Sequence, residues 1–365
     1  MRSISPPLRR TLAALVAVPL VLAAAACGGN ASSDTKADSG SAGGGTADEL
    51  RLGYFANLTH APALIGVQEG LFKKELGKTA LKTQVFNAGP DEVEALFAGA
   101  LDAAYIGPSP TINAYGQSDG DAVRIIAGAA SGGAELVVRD GINTSADLKG
   151  TTLATPQLGN TQDVALRTWL TGEGLKNSVD GTGDVIITPT PNADTLNLFK
   201  SGKVDGAWLP EPWASRLVVE AGAKVLVDER DLWPEGKFVT THLIVRTDYL
   251  EKYPDTVSAL LRGHVAAVQL ATGDAAKAKA SINKGLQAAG SDAIPAGVLD
   301  RAWKELTPTW DPIASALKQS AEDGFKAGTS ETEVDLNGIY DLTLLNKVLA
   351  DLKLDPVSAG GLGKD

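Results

Sequence analysis

Residues Glu94–Pro110 read Glu-Ala-Leu-Phe-Ala-Gly-Ala-Leu-Asp-Ala-Ala-Tyr-Ile-Gly-Pro-Ser-Pro, and about a hundred residues later Leu198–Trp213 read Leu-Phe-Lys-Ser-Gly-Lys-Val-Asp-Gly-Ala-Trp-Leu-Pro-Glu-Pro-Trp. The same plan is written twice. In each copy a helix is expected to end at a glycine (Gly99, Gly202), an aspartate follows (Asp102, Asp205), and a short apolar strand runs into a Pro-x-Pro loop. An earlier echo pairs Leu50–Leu71 with Thr151–Leu175: strand, polar loop with Asn and Thr, apolar helix, then Glu-Gly-Leu. Two related α/β halves follow, each sending polar loops from the carboxyl ends of its strands, where open α/β sheets bind ligands.

Working outward, strands are expected near Leu50–Tyr54, Leu81–Phe86, Leu101–Ile106, Val123–Ala127 and Glu135–Val138. Helices fall between them near Pro62–Phe72 and Asp91–Ala98 and from Ser109. The second half offers strands Thr151–Ala154, Val185–Ile187, Val204–Leu209 and Val225–Val227, with helices Thr161–Leu170, Ala193–Lys200 and Pro212–Ala221. His242–Arg246 reads as a strand returning to the first lobe, and crossings near Val138 and Thr241 would form a hinge. Beyond Asp248 the pattern is helical and amphipathic, as in Thr256–Thr272 and Asp274–Leu286, with no linker-like break before it. These helices are expected to pack on the first lobe.

The amino terminus carries Arg2, Arg9 and Arg10, then an apolar run from Leu12 to Ala26 interrupted by Pro19, ending in Ala-Ala-Ala-Cys at Cys27. That order is a secretory signal, and the small residues before the cysteine resemble a bacterial lipobox, with Ala24 where leucine is usual. Residues 1–26 are thus expected as signal peptide, and 27–47 as a lipidated Cys27 with a disordered tether rich in Gly, Ser, Ala and Asp. The first lobe would span 48–138 and 241–355, the second 139–240, and a C-terminal tail 356–365. Cys27 is the only cysteine, so the folded body has no disulfide and no cysteine nucleophile. Three histidines without HExxH spacing give no expectation of a metal, and no cofactor is expected. Loss of the three arginines leaves 30 basic against 44 acidic side chains, near −14, a sign that disfavours nucleic acid.

Candidate ligand residues gather in four loops. Ser109-Pro110-Thr111 suits a helix opening with Ser109 as N-cap and Pro110 at N1; its amides, dipole and hydroxyls would make a neutral anion cradle. Glu211-Pro212-Trp213 holds the matching place. Trp213 either lies along a ligand or packs the lobe; Glu211 either turns to solvent or hinge partners or meets a cationic group on the ligand. Thr59 and His60 follow the first strand, with His60 as ring donor or helix cap. Gln157, Asn160, Thr161 and Gln162 supply neutral donors in the second lobe, beside Asp163 as a dipole complement. Ser131-Gly-Gly133 is either a turn or a cleft contact.

Gly53–Phe72, Ala104–Thr111, Leu148–Asp163 and Ala207–Trp213 resemble the solute-binding proteins of ABC importers for nitrate, aliphatic sulfonates and taurine, over residues 48–355. The resemblance implies a type II periplasmic-binding-protein fold, mainly parallel sheets in two lobes joined by a two-strand hinge. It implies a monomer that closes on a small anionic solute and hands it to a permease and its ATPase, held at the outer face of the cytoplasmic membrane by its lipid. The sulfonate branch fits best, because neutral donors and helix N-termini suit a tetrahedral monoanion. By position the binding residues would be Thr59, His60, Ser109 to Thr111, Gln157, Asn160 to Gln162, Glu211 and Trp213. The same superfamily includes nitrate and bicarbonate binders, pyrimidine-precursor binders and a few enzymes. A desulfinase with a cysteine nucleophile is excluded by the cysteine count, and a pyrimidine synthase is disfavoured by the signal peptide. No catalytic residue is expected.

Overall fold

The computed structural model describes residues 45–330 and 332–365. The expected signal peptide, Cys27 and the expected tether through residue 44 lie outside the described residues. The first stretch runs β1 (Glu49–Phe55), α1 (Ala61–Gln68), α2 (Leu71–Leu76), β2 (Ala80–Phe86), α3 (Gly89–Phe97), β3 (Ala103–Ile106), α4 (Pro108–Gln117) and β4 (Val123–Gly132). There follow β5 (Ala134–Val138), β6 (Thr152–Thr155), α5 (Thr161–Gly172), β7 (Ile186–Pro189), α6 (Asn192–Lys200), β8 (Gly206–Pro210), α7 (Trp213–Ala221) and β9 (Lys224–Asp228). The last stretch holds β10 (Val239–Arg246), α8 (Thr247–Lys252), α9 (Pro254–Gly273), α10 (Ala275–Ala288), α11 (Ala296–Ala302), β11 (Leu306–Pro308), α12 (Ala314–Lys326), β12 (Tyr340–Asp341), α13 (Thr343–Asp351) and β13 (Gly363–Lys364).

The duplicated motif folds the same way in both copies. Gly99 and Gly202 adopt φ of 67° and 73°, a left-handed conformation that costs glycine nothing, and each ends its helix in a Schellman turn. In the first, Gly99 N donates to Leu96 O and Ala100 N to Ala95 O; in the second, Gly202 N donates to Phe199 O and Lys203 N to Leu198 O. The aspartate then brackets the neighbouring strand. Asp102 Oδ2 accepts from Arg51 N at 2.8 Å and Asp102 N donates to Arg51 O, while Asp205 Oδ2 accepts from Thr152 N at 2.9 Å and Asp205 N donates to Thr152 O. Arg51 and Arg139 close the two brackets from outside. This sets the parallel registers Leu52↔Ala103 and Leu153↔Gly206.

The larger sheet has the order β13-β12-β4-β10-β3-β1-β2, with β11 on β4, and the smaller β7-β6-β8-β5-β9. Within them β2-β1-β3 and β7-β6-β8 are parallel; β10 and β5 are each inserted antiparallel beside the third strand. Each half therefore carries the same five-strand order, the fold being a two-lobed type II arrangement.

Four boundaries move. The strand expected at Glu135–Val138 in the first lobe pairs instead with β8 and β9, so the chain crosses at Gly132 and Gly133, both at positive φ. Two left-handed residues in a row let one long apolar run split between two sheets, and the run's own composition does not mark the split. The return crossing comes at Val239, which pairs with Ser131. The expected tail at 356–365 is structured. Ala359 and Leu362 are buried, Val357 N donates to Asn346 Oδ1, and β13 extends the larger sheet. At the other end Ala47, expected as the last residue of the tether, is buried with its N–H on Thr256 Oγ1 and its carbonyl accepting from Thr79 Oγ1.

The C-terminal helices join the first lobe's core as expected: Val257, Leu261, Val265, Ile282 and Leu286 pack with β1, β3 and α1 residues in one apolar cluster. Phe72 is fully buried between Gly66 and Gly263, where added Cβ atoms would come within 2.3 and 2.7 Å of its ring. Burial of such a side chain stabilises by roughly 1.5–3 kcal/mol. Separate apolar clusters cover the two faces of the smaller sheet.

Candidate functional site

The loops that follow β1, β3, β6 and β8 meet between the lobes. Leu58 N donates to Glu211 O at 2.9 Å, and Trp213 Nε1 donates to Asn57 Oδ1 at 2.8 Å, so the first and last loops clasp each other. On the other side Gly89 approaches Asn160, and a Cβ on Gly107 would lie 2.3 Å from Thr161 Oγ1. Gly107 is glycine for room: its φ of −71° is ordinary, but any side chain would push Thr161 away.

His60 is buried and stacks on Phe55 with ring centroids 4.4 Å apart. Its Nδ1 accepts from Phe55 N at 3.2 Å, so it ties off the end of β1 and gives no side-chain cap to α1. Burial pushes its pKa down to about 3, leaving a neutral ring whose proton sits on Nε2, a donor without charge. Thr59 is buried beside it, its methyl facing Gly133.

Helix α4 begins two residues sooner than the serine-proline pairing suggests. Gly107 is the N-cap and Pro108 takes the first helical position, which makes Ser109 the second residue and not the cap. The reason is the fixed φ of Pro108, which suits N1 as well as Pro110 would. A consequence is chemical: of the first three helical positions two are proline, so only Ser109 brings an amide hydrogen, together with its hydroxyl. Thr111, an expected ligand contact, donates its hydroxyl back to Gly107 O at 2.8 Å.

Helix α5 opens at Thr161 with Asn160 as N-cap, whose side chain makes no cap bond. Thr161, Gln162 and Asn160 are all buried, and Thr161 Oγ1 has no partner among the described residues. Gln157 donates from Nε2 to Asp91 across the lobes, and its Oε1 is buried and unpaired. Asp163 does more than complement the dipole. Fully buried, it accepts from Thr155 Oγ1, Gly159 N and Arg167 Nε at 2.9–3.0 Å, fixing the loop that presents Thr161.

Glu211 turns away from the role of ligand carboxylate. Its oxygens accept from Ser215 N, Ser215 Oγ and Arg301 at 2.9–3.1 Å, and Arg301 also bonds Glu135. Burial first, then the nearby Glu135 charge, raises the Glu211 pKa to about 8. Glu135, Asp228 and Glu305 also converge, but Arg301 and Arg230 already hold them. Sequence reasoning missed Arg301 and Thr241. Arg301 lies on a helix of the first lobe and reaches partners 90 and 166 residues earlier, which leaves no local signal. Thr241, on β10 next to the His242↔Ile106 pair, has a buried hydroxyl without a partner among the described residues. Ser131-Gly-Gly133 resolves as the crossover, with Gly133 O accepting from Glu211 N.

The arrangement offers amides, hydroxyls and a neutral imidazole, which bind an oxyanion without a cationic side chain.

Comparison with known proteins follows the same lines. A Bacillus subtilis (strain 168) protein named for binding aliphatic sulfonates is 28% identical over 360 residues, covering 94% of this chain and 98% of its own length. The taurine-binding periplasmic protein of Escherichia coli (strain K12) is 28% identical over 211 residues, 57% of this chain and 62% of its own length. Among solved structures, the alkanesulfonate-binding protein SsuA from Xanthomonas axonopodis pv. citri superposes with a TM-score of 0.66 at 21% identity, over 79% of this chain and 96% of that one. The periplasmic nitrate-binding protein NrtA from Synechocystis PCC 6803 gives 0.71 at 17% identity, over 85% and 90%. At these identities the two structures speak for the shared fold. The model of the NMT1-like family matches residues 43–284, well over half of the chain, and the protein belongs to that family.

Proposed function

We propose that the protein is the extracytoplasmic solute-binding component of an ABC importer and captures a small oxyanion, an aliphatic sulfonate or taurine, between its lobes. The observation that carries this reading is Thr161 Oγ1: a hydroxyl buried without a partner at a helix N-terminus, pressed against the glycine that opens the facing helix. An unpaired buried hydroxyl is costly, and an oxyanion would satisfy it. Around it Ser109, His60, Thr59, Gln157, Asn160 and Gln162 complete a neutral donor set, with Trp213 as one wall. Arg301, the nearby cation, is taken up by Glu211 and Glu135 and does not clamp the ligand. The full-length similarity to a protein named for aliphatic sulfonates supports the ligand class. Nothing in this donor set calls for catalysis, and the protein is proposed as a binder that works as a monomer with a permease and its ATPase.

A thermal-shift panel of alkanesulfonates, taurine, nitrate and bicarbonate tests the class, since a ligand that binds only the folded state raises its melting temperature. A shift with sulfonates and none with nitrate or bicarbonate is expected; the reverse pattern would move the ligand to the planar anions. The lipid anchor at Cys27 belongs to the same proposal. Cys27→Ser should leave the membrane fraction, and unchanged fractionation would refute the anchor.

A further inference from the structure

A crevice of about 960 Å³ runs between α5 and α12, closed at one end by residues 229–237 and at another by Ser358 and Gly360. It shares no residue with the loop site, because α5 gives that site its first turn and gives the crevice the later face that carries Ala165, Trp169 and Glu173. Its size is at the upper end for small-molecule sites, more than a bare oxyanion needs.

The walls are aromatic and acidic. Trp169 and Trp233 both line it; Trp169 leans on the buried Trp208 with centroids 6.1 Å apart, and Trp233 stacks on Phe238 at 5.5 Å. Both indoles are thus held by aromatic neighbours. Glu229 also lines it: it is 2% exposed and accepts from Trp208 Nε1 at 2.7 Å. Asp323 faces from α12, its Oδ1 held by Gln319 at 2.7 Å. Glu173, Glu235 and Asp311 add three more carboxylates, against a single cation, Lys237, which already pairs with Glu235 at 2.9 Å. An anion is repelled by that excess. A metal ion wants carboxylate oxygens converging on one point, and the one such group among the described residues lies elsewhere, at Glu135, Asp228 and Glu305.

We propose that this crevice is a second ligand site, for an organic cation with an ammonium or quaternary ammonium head on an apolar body. The head would lie over the Trp169 and Trp233 rings within reach of Glu229 and Asp323, where ring quadrupole and carboxylate act together. The apolar body would follow Ile313, Ala314 and Ala316 along the crevice.

Calorimetric titration of the purified protein with choline and hexyltrimethylammonium, against the uncharged choline isostere 3,3-dimethylbutanol, tests it. Both cations should bind, hexyltrimethylammonium more tightly, and the neutral isostere at least about tenfold more weakly. Asp323→Asn, nearly isosteric, and Trp233→Phe should each weaken the cations several-fold while leaving the alkanesulfonate titration unchanged; that unchanged titration also shows the variants are folded. Absence of cation binding at millimolar concentration, equal binding of the isostere, or wild-type cation affinity in both variants would overturn the proposal. None of these results bears on the anion site, which has its own titration.

Discussion

The two copies of the repeat share a framework and differ in what they put at its tip. Both end a helix at a left-handed glycine, bracket the next strand with an aspartate and arrive at a proline-rich turn. The first copy then exposes one serine amide and hydroxyl at the start of α4, its two prolines having removed the competing donors. The second spends its polar groups on the protein: Glu211 on Ser215 and Arg301, Trp213 on Asn57. The lesson is that the two copies keep the parts that set register and differ at their tips, where the second commits its side chains to clasping the protein.

The largest effect expected from breaking that division is at Arg301. Arg301→Met would leave Glu135 buried without its cation and take a donor from Glu211, at a cost of about 3–5 kcal/mol in urea denaturation at neutral pH. A loss under about 1 kcal/mol would show that the clasp contributes little. The same cluster has a pH signature. The Glu211 carboxyl titrates near 8 when folded against 4.5 ordinarily, so the folded state holds a proton that the unfolded chain gives up. Stability contributed in this way is complete below about pH 4.5 and is lost as pH rises to about 8, at up to about 1.4 kcal/mol per pH unit for one group. Glu211→Gln should flatten the stability profile across that window, and an unchanged slope would place the proton elsewhere.

The framework itself is the next place to press. Asp102 is almost wholly buried and Asp205 about one third exposed, although both make the same pair of bonds to the neighbouring strand's backbone. Asp102→Ala should therefore cost about 2–3 kcal/mol and Asp205→Ala about 1 kcal/mol, by the same denaturation measurement. Equal losses would mean that burial does not separate the two brackets. A smaller change is expected at the second tip. Trp213→Phe deletes the indole hydrogen bond to Asn57 and should weaken alkanesulfonate affinity about three- to tenfold, through the clasp between the lobes.

Much of this was legible in the chain before folding. The Gly-to-Asp spacing and the repeated loops announced two halves, and the strand-loop-helix alternation announced the parallel triplets β2-β1-β3 and β7-β6-β8, because those features are local; the antiparallel pairings of β10 and β5 make the sheets mixed and not mainly parallel. Sheet membership was not legible for Glu135–Val138, since an apolar run does not say which sheet receives it. Ser109 was misplaced by two positions because Pro108 and Pro110 both satisfy the rule for a helix start. Leu362 and Ala359, set among glycines, gave too sparse a pattern to announce a strand. At the site, loop positions were readable and side-chain commitments were not: Thr111 and Glu211 look like ligand groups until their own hydrogen bonds are seen.

The central claim is that an oxyanion sits between the first turns of α4 and α5, and Thr161→Val tests it most directly. The substitution removes one hydroxyl that is buried and unpaired among the described residues and keeps the shape of the side chain. Calorimetric titration with an alkanesulfonate should show affinity reduced about 10- to 100-fold, while the unliganded variant is as stable as wild type or more so. Wild-type affinity in Thr161→Val, for every sulfonate that raises the melting temperature of the parent protein, would contradict the account.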